Sequence, residues 1–124
     1  MTRDEFRERT FQFGVRCIRL GESLPKAMAA QVVARQLIRS ATSVGANYRA
    51  AVRGKSRADF VAKLGIVEEE CDEALYWIEV IIALGYVPAA RTSELQQEAN
   101  EILSIAVSSI KTARRNAKKS IPSQ

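Results

Sequence analysis

Charged side chains are the groups in this chain best equipped to bind something, and they fall into two informative sets. The first is Lys111, Arg114, Arg115, Lys118 and Lys119, five cations within nine positions and no carboxylate after them. A cluster of one sign attracts a phosphate backbone with steep salt dependence. Basic ends also serve simply to keep a protein in solution, and both readings stay open. No recognition helix and no RNA-binding aromatic motif accompanies the cluster, so sequence specificity is not implied.

The second set is Arg39, Asn47, Arg49 and Arg53, embedded in a run of small and apolar residues, and the acids Glu68, Glu69, Glu70, Asp72 and Glu73 that follow. If both runs are helices joined by a short turn, they lie antiparallel, and Arg39, Arg49 and Arg53 can pair with Glu70 and Glu73. Such a network would fix register or a subunit contact, because removing one member of a buried pair costs about 3 to 5 kcal/mol. An arginine-lined groove for phosphate is the functional alternative. A metal cluster is the third reading, since Glu69 with Asp72 or Glu73 has the i, i+3 or i, i+4 spacing of di-metal bundles. The chain contains no histidine, however, and therefore no ExxH pattern. No metal and no cofactor are expected.

The same inventory weighs against catalysis. There is no Gly-rich phosphate loop and no nucleophile with a base nearby in the sequence. Cys17 and Cys71 stand alone, which favours two small buried hydrophobes over a zinc or redox site. The chain is not expected to be an enzyme.

The elements that hold these groups follow from composition and period. In 124 residues, 47% are apolar and 27% charged, with only 6 Gly and 3 Pro, the profile of one all-α domain. Thr2 and Glu5 make a capping-box pair, and Phe6, Thr10, Phe13, Cys17 and Leu20 recur as one buried stripe until Ser23-Leu24-Pro25 interrupts it. A second helix is expected from about Lys26 to Arg53, burying Val33, Leu37, Ser40, Val44, Tyr48 and Ala51 and closing on a left-handed Gly54. Gly45, costly inside a helix, suggests a close neighbour.

Ser56 with Asp59 opens a third helix from Arg57 to Leu84, with the stripe Phe60, Leu64, Val67, Cys71, Ala74, Ile78, Ile81 and a stop at Gly85 and Pro88. A fourth is expected to be capped by Thr92 or Ser93 and to bury Leu95, Ala99, Ile102, Ala106 and Ser109 or Ile110. After Lys111 the pattern dissolves, so residues 1–116 are read as the bundle domain and 117–124 as a disordered basic tail. Short connections predict an elongated, antiparallel up-down-up-down four-helix bundle.

Two further patterns bear on partners. Residues 1–57 hold 12 Lys/Arg against 4 Asp/Glu, residues 58–110 hold 2 against 10, so the halves are opposite in sign and can pair within a bundle or between subunits. From Leu75 to Val87 apolar groups point all round the third helix. In a single bundle Trp77, Val80, Leu84 or Tyr86 would then be left in water, which marks them as a candidate oligomer interface. The alternative is that neighbouring loops fold over this end. No apolar run approaches the roughly 20 residues that span a bilayer, and the charged N-terminus has no signal-peptide pattern, so a cytoplasmic protein without a membrane role is expected.

The run Gln36 to Arg49 (QLIRSATSVGANYR), the segment Lys55 to Leu64 (KSRADFVAKL) and the segment Glu68 to Val80 (EEECDEALYWIEV) closely resemble the four-helix bundle family named for 23S ribosomal RNA intervening-sequence proteins. The early phenylalanine and the Leu24-Pro25 break also match, and the similarity extends from about Phe6 to about Ile110. The resemblance implies a bundle that assembles into a ring-like homo-oligomer, with a pentamer the expected form, and it carries over no catalytic residue. A distantly similar group, the accessory proteins of diversity-generating retroelements, implies contact with nucleic acid and with a protein partner such as a reverse transcriptase. This is analogy at the level of the fold. Five copies would gather roughly 25 tail charges, a polyvalent surface for RNA or DNA. The expectation is therefore a non-catalytic oligomeric module that binds RNA or DNA through its basic surface and tail. A protein-interaction scaffold with no nucleic-acid role is the alternative.

Overall fold

The structure is a computed structural model that describes residues 1–119, with side chains described for residues 1–116. It is all-helical: α1 Arg3–Glu22, α2 Met28–Val52, α3 Arg57–Leu84 and α4 Ala89–Lys119. At 1.5 Å per residue α3 is about 42 Å long and α4 about 46 Å, which makes an elongated bundle.

Two helix starts are as the sequence reads. The Thr2 hydroxyl accepts from the Glu5 N–H at 3.1 Å while the Thr2 N–H donates to Glu5 Oε1 at 3.2 Å, and Ser56 Oγ accepts from the Asp59 N–H at 3.0 Å. Each satisfies amides that the first helical turn leaves unpaired. α3 ends on Gly85 in the left-handed region, φ 67°, where a side chain would be strained.

Three boundaries correct the sequence reading. α2 closes on Arg53 in the right-handed region, and Gly54 is not left-handed. Gly54 is instead a matter of space, because a Cβ there would collide with the Asp59 carboxylate and lie 3.0 Å from the Ala51 carbonyl oxygen. α4 starts directly after Pro88, whose carbonyl accepts from the Arg91 N–H at 2.9 Å. Thr92 and Ser93 already lie inside the first turns, their hydroxyls donating back to the carbonyls of Ala89 at 3.0 Å and Ala90 at 3.3 Å. Proline has no N–H to leave unpaired and a fixed φ suited to helix entry, so it outcompetes the later hydroxyl residues as a starting signal. Finally, α4 continues past Lys111 to Lys119. No Gly or Pro interrupts residues 111–119, Ala113 is buried, and cations are favoured at a helix C-terminus. Residues 120–124, the rest of the expected tail, lie outside the described residues.

Each buried stripe faces a common core: Phe13, Cys17, Leu37, Val44, Leu64, Val67, Cys71, Ile78, Ile81 and Ile102 are fully enclosed. Phe60 and the tip of α3 are only partly covered. The polar members of the stripes are satisfied locally, Thr10 by the Arg7 carbonyl at 3.0 Å and Ser40 by the Gln36 carbonyl at 2.8 Å, as buried hydroxyls must be. Burial holds both thiols in the neutral form, pushing Cys71 up to about 12 and Cys17 higher still.

Glycines set the register of α1 on α2. A Cβ on Gly45 would sit 3.2 Å from the Thr10 carbonyl oxygen, one on Gly14 3.4 Å from Thr42 Cα, and one on Gly21 would press on Ile38. The two sequence positions rise and fall in opposition, so the pair is antiparallel and nearly backbone to backbone at its centre. Successive helices pack on one another, and α1 also touches α4, which closes the circuit of four. That last contact is the sparsest.

Candidate nucleic-acid interface

At the end of the bundle where α1 and α3 begin and α2 stops, the loose α1–α4 seam opens into a cleft of about 760 Å³. Phe6 and Tyr48, stacked edge to face at 4.7 Å, lie at its base. Among the described residues, Arg3, Lys55 and Arg57 are the charged side chains on its walls, and no carboxylate lines it. The Arg3 guanidinium lies 4.5 Å from the centre of the Phe60 ring. α4 contributes hydroxyls and an amide, from Ser104, Ser108, Ser109, Thr112 and Asn116.

The α4 cations are arranged around this cleft unevenly. Thr112, Ala113 and Asn116 face it, so by the 3.6-residue period Arg115 lies at its margin while Lys111 and Arg114 lie on the far side of the helix. All three are exposed. Lys118 and Lys119 belong to the last turn of α4, with side chains outside the described residues. Arg53, at the end of α2, is also exposed. The sequence reading concentrated on the α4 cluster and missed the contribution of Arg3, Lys55 and Arg57. Their shared end could have been found by folding the four stripes into an up-down bundle and asking which termini coincide.

The second set of charges divides. Arg39 bonds Glu70 at 3.2 Å and Glu73 more closely, and takes a third contact to Gln36 at 3.2 Å. Its side chain is 50% exposed, so this is a surface network and not the enclosed pair the sequence suggested. Trp77 donates from Nε1 to the same Glu73 carboxylate at 3.2 Å, and that bond, followed by Arg39, holds Glu73 below the usual carboxylate range. Arg49 and Arg53 make no ion pair among the described residues, and Asn47 is satisfied within α2 by Ser43 at 2.9 Å.

A stronger ionic contact was not anticipated. Arg9 forks onto Glu98, Nε to Oε2 at 2.7 Å and Nη2 to Oε1 at 2.6 Å, and reaches Glu101 at 2.7 Å. Glu98 first, then Glu101, raises the Arg9 pKa beyond its already high value. The partners are 89 residues apart in sequence, and only the i, i+3 spacing of the two acids on α4 hinted at a shared cation.

Of the four residues proposed for an oligomer contact, Leu84 is open at 52% exposure, whereas Trp77, Val80 and Tyr86 pack partly against the core. Met28, Phe11 and Tyr76 are more exposed than Leu84, and Val32 and Ile66 are also open to solvent. Among the described residues there is no group of acids or thiols that could hold a metal ion, and no helix is long and apolar enough to cross a membrane.

A family model described as 23S rRNA-intervening sequence protein matches residues 4–108. A solved structure from Bacteroides thetaiotaomicron, described as a protein with unknown function from the S23 ribosomal protein family, is 34% identical. The alignment covers 86% of this chain and 98% of that one, with a TM-score of 0.80. No curated protein gives a significant match.

Proposed function

This chain belongs to the 23S rRNA-intervening sequence protein family, and from that membership and its basic end we propose a cytoplasmic, non-catalytic, homo-oligomeric module that binds nucleic acid without strong sequence preference. The observation that carries the reading is the placement of Arg3, Lys55 and Arg57, from the starts of α1 and α3 and the turn between α2 and α3, on the walls of a cleft lined by no carboxylate among the described residues, with Arg115 at the margin by the period of α4. Cations supply the salt-dependent attraction to phosphates, and the serine and threonine hydroxyls of α4 supply hydrogen bonds to phosphate and sugar. Several copies multiply the charge on one assembly. A pentamer is the form that the family resemblance suggests.

Filter binding of a generic structured RNA tests this. Micromolar or tighter binding is expected at low salt, falling steeply at moderate salt. The variant Arg3→Gln/Lys55→Gln/Arg115→Gln should weaken binding and flatten the salt dependence, each lost phosphate contact lowering the slope by about 0.7 to 0.9. Absence of binding at micromolar protein and low salt would remove the reading.

A further inference from the structure

On the side of the bundle formed by α1 and α2 runs an open groove of about 580 Å³, floored by Gly14, Gly45 and Ala46 and flanked by Phe11, Val15 and Ile18. Its origin is the close approach of the two backbones at Gly45 and Thr10, which leaves a trough between the helices with no side chains to fill it. Phe11 is 60% exposed. Arg7, which pairs with Asp4 at 3.5 Å, and Arg49 line the rim beside the acid Glu8, so the uncompensated cation of the lining is Arg49. Arg35 is exposed two turns before Thr42 along the same face of α2. Neither Arg35 nor Arg49 has an ion-pair partner among the described residues.

α3 presents the complementary surface. Ile66, Glu69, Asp72, Tyr76, Glu79 and Ala83 are all exposed and recur at spacings of three and four, which places them on one outward ridge. The ridge carries three carboxylates and no cation, and Glu69, Asp72 and Glu79 have no ion-pair partner among the described residues. Tyr76 is 56% exposed. One molecule therefore carries an apolar groove with a positive rim and, on a different helix, an apolar ridge with negative charge.

We propose that the occupant of the groove is a second copy of this chain: the outward ridge of α3 from one copy lies in the α1–α2 groove of the next. A helix with an apolar outer face seated in a groove is a recurrent packing mode. The charge pattern fixes the partner, since ridge against ridge or groove against groove would bring like charges together. Two different surfaces meet, so the contact is head to tail and propagates from copy to copy until it closes into a ring or continues as a filament. The inference rests on the homo-oligomer part of the functional reading and specifies the faces that reading leaves open.

Complementation of two broken faces is the test. Phe11→Glu disables the groove and Tyr76→Glu disables the ridge. Both positions are exposed, so each variant keeps its helical circular dichroism. By light scattering at micromolar concentration each variant alone is expected at the mass of one chain. Mixed in equal amounts, they form a species of two chains and no larger, because one intact ridge and one intact groove remain. A variant that retains the wild-type mass, or a mixture that stays at one chain, overturns the proposed faces. Wild-type protein that is itself a single chain removes the homo-oligomer reading along with them, which separates the two failures.

Discussion

Replacing Arg9 by alanine tests the account of how α1 is held to α4. Arg9 is 24% exposed and Glu98 17%, so the pair sits between a surface and a buried ion pair. Exposed pairs contribute about 0 to 1 kcal/mol, and breaking an enclosed one costs about 3 to 5 kcal/mol. Two short charge-assisted bonds from one guanidinium to one carboxylate, with Glu98 left half-enclosed and unpaired afterwards, place the expected loss at about 2 kcal/mol after allowing for solvent access. For a domain of this size that corresponds to a fall in Tm of roughly 6 to 10 °C. Urea unfolding followed by circular dichroism gives the free energy directly, with an unchanged slope indicating that the two-state comparison is valid. Arg39→Ala is the control: its side chain is 50% exposed, and its removal should barely move the midpoint. Equal losses in the two variants, or a loss for Arg9→Ala below about 0.5 kcal/mol, would show that the α1–α4 seam does not depend on this contact.

Two glycines in helix interiors should respond with opposite sign. A Cβ on Gly65 meets nothing within 4 Å, so Gly65→Ala should stabilise by about 1 kcal/mol. Gly45→Ala would place a Cβ 3.2 Å from the Thr10 carbonyl oxygen and should destabilise despite its better helix propensity. Urea midpoints decide both. Acid should also weaken the fold. Glu73, through Trp77 and Arg39, and Glu101, through Arg9, are held below the ordinary carboxylate value. Their contribution is complete above that value and lost as pH falls through the lower folded-state values. Thermal melts should therefore be level from neutral pH to about 5 and decline below it, with a shallower decline in Glu73→Gln. A flat profile down to pH 3 would contradict these assignments.

Much of the helical architecture was legible because its signals are local. The stripes through Phe13, Leu37, Leu64 and Ile102 announce their faces by period alone, and Thr2, Ser56 and Gly85 mark ends by short-range hydrogen bonding or a left-handed turn. Where two local signals competed the sequence misled. Pro88 outranked Thr92 at the start of α4, and steric room, not backbone conformation, explains Gly54. The end cleft and the Arg9 fork were hidden for a different reason. Each depends on which helix ends coincide and how far apart two helices stand, and no window of sequence contains that information. The charges on α2 illustrate the limit: Arg39 and Arg49 look alike in the sequence, yet only Arg39 lies opposite an acid on α3.

The order of contacts around the bundle also bears on how it assembles in time. Three of its four seams join helices that follow one another in the chain through short turns, whereas α1 and α4 are brought together from opposite ends of the sequence. Hairpins of neighbouring helices close small loops and form early, and closing the longest loop comes last because its entropy must be met before its contacts reward it. The docking of α4 on α1, which also shapes the basic cleft, is therefore the contact expected to form last. A chain whose α4 had packed on α3 alone would keep three of its four seams while the walls of its basic cleft stayed apart.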